Sequence, residues 1–189
     1  MFRKKVLIVY ASSSGATEGI VKQIEKTLDD HRIKVDIINA REKSDDSPDL
    51  SKYDGILFGT GIYVTAWIWA VRRWFLDHLV EIKQNELKLA VFVSCIHGFA
   101  SPKEARRIYI RNALDKRNIH ADIYEAFGPV LDFSSTSRLN FLQKGTLKVA
   151  ARGLLQSKDV KIDFNGSNDL RNWYKIREFA KKFAAIVKE

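Results

Sequence analysis

Within six positions, Ser12-Ser13-Ser14-Gly15-Ala16-Thr17 gathers three serine hydroxyls, a threonine hydroxyl and a glycine. The stretch follows a continuous apolar run, Lys5-Val6-Leu7-Ile8-Val9-Tyr10, and precedes Ile20, Val21, Ile24 and Leu28 at helical spacing. A hydroxyl-rich turn between a buried strand and a helix start is an anion site. The first helical N–H groups lack internal partners, and the helix dipole adds partial positive charge there. Gly15 lets the backbone come close to a ligand. The dinucleotide fingerprint G-x-G-x-x-G is missing, and no Lys lies between Lys5 and Lys22 to complete a nucleoside-triphosphate loop. What remains is a site for a phosphate monoester, held by hydroxyls and backbone N–H groups alone. A serine-rich helix cap without a ligand is the alternative, and the stretch carries more hydroxyls than a cap requires.

Two further turns carry candidate groups. Thr60 and Gly61 end an apolar run, and Ile62, Tyr63, Val64 and Thr65 are expected to form the loop that follows. Ser94, Cys95, Ile96, His97 and Gly98 end another run and are expected to form a second loop. His97 is either an ordinary loop histidine or a charge that tunes a ligand. Cys95 reads as a small buried residue rather than a redox thiol. No Ser/His/Asp spacing, carboxylate pair or zinc-type Cys/His/Asp cluster stands out. The chain therefore offers no catalytic side chain of its own and no metal site.

The elements that must position these turns alternate between strand and helix. Strands are expected at 4–10, 34–39, 54–61, 88–94 and 121–127. Helices are expected from Gly15 to Asp30, over a face made by Trp67, Val71, Trp74 and Phe75, from Ser101-Pro102 to about Lys116, and from Leu170 to about Lys188. The second strand alternates polar and apolar residues, which suits a sheet edge. Residues 41–53 read as a polar loop with room for one helical turn. The alternation predicts an α/β fold, a doubly wound parallel sheet with ligands at the carboxyl ends of its strands. Residues 130–168 interrupt it before the last helix. The 189 residues suit a single domain, 1–189.

The formal net charge is +9 and the pI about 9.6, a balance that suits an acidic partner as well as plain solubility. One cysteine rules out an internal disulfide and points to a reducing compartment, the cytoplasm. No apolar run reaches about 18 residues, so no spanning helix is expected. The first strand begins by residue 5, which leaves no room for a signal peptide.

The pattern Ser/Thr-x-Ser/Thr-Gly-x-Thr at the end of the first strand resembles the phosphate loop of flavodoxins. That resemblance implies a flavodoxin-like sheet of five parallel strands in the order 2-1-3-4-5, with helices on both faces and FMN as cofactor. It implies that Ser12, Ser13, Ser14, Gly15, Ala16 and Thr17 grip the FMN phosphate. Thr60, Gly61, Ile62, Tyr63 and Val64 would line one side of the flavin ring, with Tyr63 stacking on it or shielding it. Ser94, Cys95, Ile96, His97 and Gly98 would bring backbone groups to the ring's pyrimidine edge. Basic charge and the insertion set the chain apart from simple acidic carriers. With Gly59-Thr60-Gly61-Ile62-Tyr63 and the segment from Asp169 to Ala180, they make it similar to the menaquinone-dependent protoporphyrinogen oxidase family of heme biosynthesis.

The insertion has its own pattern. From Phe133 to Lys158 there are five basic residues, Arg138, Lys144, Lys148, Arg152 and Lys158, and no acid. Lys144, Lys148 and Arg152 would align on a helix, with Leu139, Leu142, Val149, Ala150 and Leu154 on the other side. Such a helix suits an anionic membrane surface or an acidic partner, unless its apolar face simply packs on the domain. The leading expectation is an FMN-dependent oxidoreductase passing electrons from a reduced substrate, porphyrinogen-like by resemblance, to a quinone or another acceptor. It would be cytoplasmic, with contact to the inner face of the membrane through residues 138–158. The alternatives are an electron carrier between protein partners, and a module that binds no flavin and uses its basic surface. Basic residues without aromatic interleaving argue against nucleic acid. Trp67, Trp69 and Trp74 offer a homodimer face.

Overall fold

The computed structural model describes residues 3–42, 47–63, 65–137, 140–157 and 160–189. Its central sheet contains β1 (Lys5–Ala11), β2 (Lys34–Asn39), β3 (Gly55–Tyr63), β5 (Lys88–Ser94) and β6 (Ile123–Phe127), in the order β2-β1-β3-β5-β6 and parallel throughout. A two-residue strand, β4 (Ala66–Trp67), folds back antiparallel on the end of β3. With β4 left out of the count, the order is the expected 2-1-3-4-5.

Each inner strand is covered on both faces, which is why its sequence is a continuous apolar run rather than an alternating one. Successive residues of β1 enter opposite layers. Leu7 and Val9 join a core with Phe58, Val71, Phe75, Val91 and Val93. Val6 and Ile8 join Ile20, Ile24, Phe92, Phe183 and Val187. The second layer is closed by α1 (Ala16–Asp30) and α8 (Trp173–Lys188), which pack on each other. The first is closed by α2 (Trp69–Asp77), α3 (Leu79–Gln84) and the run from α5 (Pro102–Ala105) through a π-helical turn (Arg106–Arg111) to α6 (Asn112–Asp115). β2 is the edge strand, and a 3-10 turn at Leu50–Lys52 supplies the helical turn expected in 41–53.

Four local expectations are corrected. Ile62 and Tyr63 continue β3 instead of forming a loop, because β4 pairs with them. Trp67 lies in β4 rather than on a helix, and α2 starts at Trp69. Residues Ile96–Ala100 form a short helix, α4, where a loop was expected. The last helix starts at Trp173, capped by Asn172 Oδ1, which accepts the Lys175 N–H at 3.0 Å.

The insertion is tied at its neck by β7 (Val130–Asp132) and β8 (Ser167–Asp169), an antiparallel pair. Beyond the neck runs α7 (Phe141–Ser157). Neither of the two faces read from the sequence packs on the domain as a whole. Ala151 is fully buried, and Leu147 packs with it against Leu131, Phe133 and Ile96. Lys144 and Lys148 flank that strip. Lys144 Nζ donates to the Ser134 carbonyl at 2.6 Å, and Lys148 Nζ lies 5.9 Å from the centre of the Phe133 ring. Long lysine stems cover apolar surface while their heads find an oxygen or a ring face, so these two half-buried lysines border the packed strip. Phe141, Leu142 and Val149 are exposed instead, and Ala150 and Arg152 are also on the surface. Arg138, Leu139 and Lys158 lie outside the described residues, as do the side chains of Leu154 and Tyr63 and the whole of Val64.

Candidate functional site

Strand register brings the three predicted turns together. Ala11 pairs with Thr60, Thr60 with Val93, Gly61 with Ser94, and Ser94 with Phe127. Four parallel strands therefore end in step, and the residues after them share one edge of the sheet. Gly61 sits in the middle. A Cβ on it would lie 3.4 Å from Ile68 Cδ1, 3.8 Å from Thr17 Oγ1 and 4.0 Å from the Ser94 carbonyl oxygen. One backbone position thus touches the first turn, the β3–β4 hairpin and the end of β5.

The first turn is shaped by its own groups. Ser12 Oγ accepts the Gly15 N–H at 2.9 Å. Gly15 has φ 88°, in the left-handed region, and nothing lies within 4 Å of where a Cβ would stand. Gly15 occupies the cap position of α1, and no side chain caps that helix. The N–H groups of Ala16 and Thr17 belong to the first turn, where a helix supplies no partner. Ser13 is exposed, Ser12, Ser14 and Gly15 are half-buried, and Ala16 and Thr17 are buried. The Thr17 hydroxyl has no hydrogen-bond partner among the described residues, although Thr17 is only 2% exposed. Among the described residues no fully enclosed polar side-chain atom lacks a partner, so that hydroxyl is not fully enclosed.

The other turns are more occupied by their own structure. Thr60 is fully buried; its hydroxyl donates to the Gly61 carbonyl at 2.8 Å and accepts the Ile68 N–H at 3.1 Å, which pins the hairpin. Ser94 is buried and donates to the Gly128 carbonyl at 3.0 Å. The Cys95 N–H goes to the Phe127 carbonyl, and the Gly98 N–H reaches both the Cys95 carbonyl and its Sγ. Gly98 is buried where a Cβ would overlap the Phe127 backbone, so packing alone demands glycine there. Burial pushes the Cys95 thiol up to about 11, against the opposing N–H contacts of Gly98 and His97. Its thiol stays protonated near neutral pH. His97 sets its ring edge-on to Tyr109, with centroids 5.8 Å apart. Ile96 turns inward onto the insertion's small core.

Two arginines were not anticipated. Arg41 Nη1 donates to the Ser12 carbonyl at 3.0 Å and approaches Ser13 Oγ at 3.4 Å, placing a cation against the hydroxyl turn. The signal for it is register: β1 and β2 are parallel neighbours whose last pair is Tyr10 with Asn39, so the turns after them lie side by side. Arg171 Nη1 donates to the Ala16 carbonyl at 3.0 Å, while its Nε and Nη2 hold Asp169 at 2.8 and 2.7 Å. Its guanidinium also lies 4.3 Å from the Trp173 ring centre. It fastens the exit of the insertion to the start of α1, and sequence spacing carries no sign of that contact across 155 positions.

Beside the hydroxyl turn runs an open groove of about 490 Å³, bordered by Ser13, Arg41, Trp67, Ile68, Trp69 and Arg72. Trp69 is 66% exposed there and carries the Arg73 guanidinium over its ring. Among the described residues no group of three His, Cys, Asp or Glu side chains is placed to hold a metal ion, and no helix is long and apolar enough to cross a membrane.

The chain is 30% identical over 105 residues to a probable flavodoxin 1 of Bacillus subtilis (strain 168), an alignment covering 56% of this chain and 65% of that relative. It thus spans a little under two thirds of that relative's length. Among solved structures, a flavodoxin from the domain Archaea superposes with a TM-score of 0.55 at 13% identity, covering 98% of this chain and 99% of that one. Rubredoxin oxygen:oxidoreductase from the anaerobe Desulfovibrio gigas superposes with a TM-score of 0.56 at 13% identity, covering 98% of this chain and 37% of that one. At such identities the superpositions speak for the fold. The family described as the flavodoxin domain matches residues 7–161, most of the chain and all three strand-end turns, and the chain belongs to that family.

Proposed function

We propose that this chain binds FMN at the carboxyl edge of its sheet and serves as an electron-transfer domain. Flavodoxin-domain relatives bind FMN. The observation that carries the reading is the convergence at Gly61 of the hydroxyl turn, the hairpin and the end of β5. The residues present fit a phosphate monoester: an uncapped α1 start, an open space over Gly15, an unpartnered Thr17 hydroxyl and the Arg41 guanidinium. Ser12, Ser13, Ser14, Gly15, Ala16 and Thr17 would hold the phosphate. Residues 60–64 and 94–98 would flank the ring, 94–98 through backbone groups that their own hydrogen bonds leave available. When bound, FMN supplies one- or two-electron redox chemistry. The protein's part would be to fix the phosphate, border the ring with the open groove, and place Arg41 beside the hydroxyl turn.

Two finer readings remain. An oxidoreductase acting on a small reduced substrate, protoporphyrinogen-like with a quinone as acceptor, is supported by the open groove beside the hydroxyl turn. It is also supported by the exposed apolar residues of α7, Phe141, Leu142 and Val149, which suit peripheral contact with a membrane surface. A carrier between protein partners is supported by the name of the Bacillus subtilis relative.

The test is an FMN titration of purified protein by flavin fluorescence, with Ser14→Asp and Thr17→Val as variants. Saturable binding to wild type, weakened by both variants, supports the cofactor assignment. No binding at tens of micromolar FMN overturns it. With FMN bound, turnover of protoporphyrinogen with a menaquinone analogue selects the first reading, and salt-sensitive reduction of a protein acceptor without such turnover selects the second.

A further inference from the structure

A second groove, of about 280 Å³, lies on the other side of the β3–β4 hairpin, between α2 and the π-helical turn. The two grooves share Ala66, Trp67 and Arg72, so the hairpin is a wall common to both. We propose that this second groove is a binding site for a small aromatic anion, a carboxylate on one or two fused rings.

Its floor is apolar and built. Trp67 is 8% and Phe75 3% exposed, and their rings meet at 5.7 Å with a tilt of 58°. Trp67 Nε1 donates to the Tyr109 carbonyl at 2.7 Å. That bond joins the hairpin to the π-helical turn and holds the indole in one orientation. The small exposed parts of Trp67 and Phe75 that line the groove can meet a ligand ring in tilted or offset contact.

The rim is cationic. Arg72, Lys116 and Arg117 border the groove, and no carboxylate does. None of the three forms an ion pair among the described residues. The arginines just outside behave differently: Arg106 pairs with Glu125 at 2.6 Å, Arg107 with Glu104 at 2.8 Å and Arg73 with Asp77 at 3.4 Å. Arg117 is aimed as well as charged, since its Nη1 donates to the Ala113 carbonyl. Three uncompensated cations around two buried rings complement a ligand with an aromatic body and a negative end. A neutral aromatic would leave the rim unused, and a bare phosphate would leave the floor unused.

The site does not depend on the flavin reading, and the test separates them. The full chain, with and without FMN, is titrated with 2-naphthoate and with its neutral counterpart 2-naphthalenemethanol, following the Trp67 indole N–H by nuclear magnetic resonance. Naphthoate is expected to shift that resonance and to bind about tenfold more tightly than the alcohol, the factor expected for two or three exposed charges. Lys116→Glu and Arg117→Gln, both outside the first groove, are each expected to weaken naphthoate several-fold and to leave the alcohol unchanged. Arg107→Gln is expected to change neither. Equal affinity for acid and alcohol, no Trp67 shift at millimolar naphthoate, or the same loss in Arg107→Gln overturns the site. Failure of FMN to bind while naphthoate binds as described removes the flavin reading and leaves this one standing.

Discussion

Replacing Arg41 by Gln tests the phosphate assignment directly. The guanidinium is held against the hydroxyl turn by the Ser12 carbonyl and Ser13 Oγ, and its side chain is exposed. The variant therefore removes charge with little change in packing, and stability should move by no more than about 0.5 kcal/mol. An exposed ion pair contributes about 0.2–1 kcal/mol. A phosphate monoester carries roughly −1.5 to −2 charges at neutral pH, so loss of the cation should cost about 0.5–1.5 kcal/mol of FMN binding. That is a factor of about two to twelve in Kd. The assay is a pair of fluorescence titrations, FMN and riboflavin, on wild type and Arg41→Gln at low and high salt. FMN should weaken and its salt dependence should flatten, while riboflavin, which lacks the phosphate, should not change. An equal loss for both flavins would refute the reasoning, and so would an unchanged FMN affinity at low ionic strength.

Two glycines at the site should fail for different reasons. Gly15→Ala meets no neighbour but must adopt a positive φ, at about 1–2 kcal/mol. Gly98→Ala has an ordinary backbone but collides with Phe127, at about 1–3 kcal/mol, and urea unfolding of both variants checks these losses. With its thiol near 11 rather than the ordinary 9.0, Cys95 at pH 7.5 should react with iodoacetamide about a hundredfold more slowly than a peptide thiol, and an equal rate would contradict its burial. Burial opposes ionisation of Asp169, yet the Arg171 hydrogen bonds hold its carboxyl below the usual range. A lowered folded value contributes stability that is present above the unfolded carboxylate value near pH 4 and is lost as pH falls from there through the folded value. The melting advantage of wild type over Asp169→Asn should therefore be present at pH 6 and vanish toward pH 2.

The three inner strands were legible because strands buried on both faces announce themselves as unbroken apolar runs, the edge strand β2 by its alternation, and the hydroxyl turn because helix starts have a known chemistry. Other features depend on contacts no local pattern contains. Lys144 and Lys148 border the packed strip because Ser134 and Phe133 wait for them. In the sequence Gly98 is only part of a strand-end loop, and its need to be glycine comes from the Phe127 backbone packed against it. Trp67 fell in a short apolar stretch that fits helix or strand equally, and pairing with Ile62 decided it. Arg41 sits in a polar loop of no distinction until the pairing of β1 with β2 lays that loop beside Ser12.

The stepwise ending of β1, β3, β5 and β6 bears on how such a chain can change over time. Much of what gathers at the sheet edge is main chain: N–H groups of the α1 start, the bare Cα of Gly61 and the Ser94 carbonyl. Main-chain groups are placed by hydrogen-bonded register, which survives most substitutions of the side chains that fill the two layers. A lineage can therefore rewrite nearly all of its core and still present the same edge. The archaeal flavodoxin keeps this fold with only 13% of its residues in common with this chain. The insertion hangs outside that register from the two-stranded neck of β7 and β8, so it is free to diverge faster than the sheet that carries it.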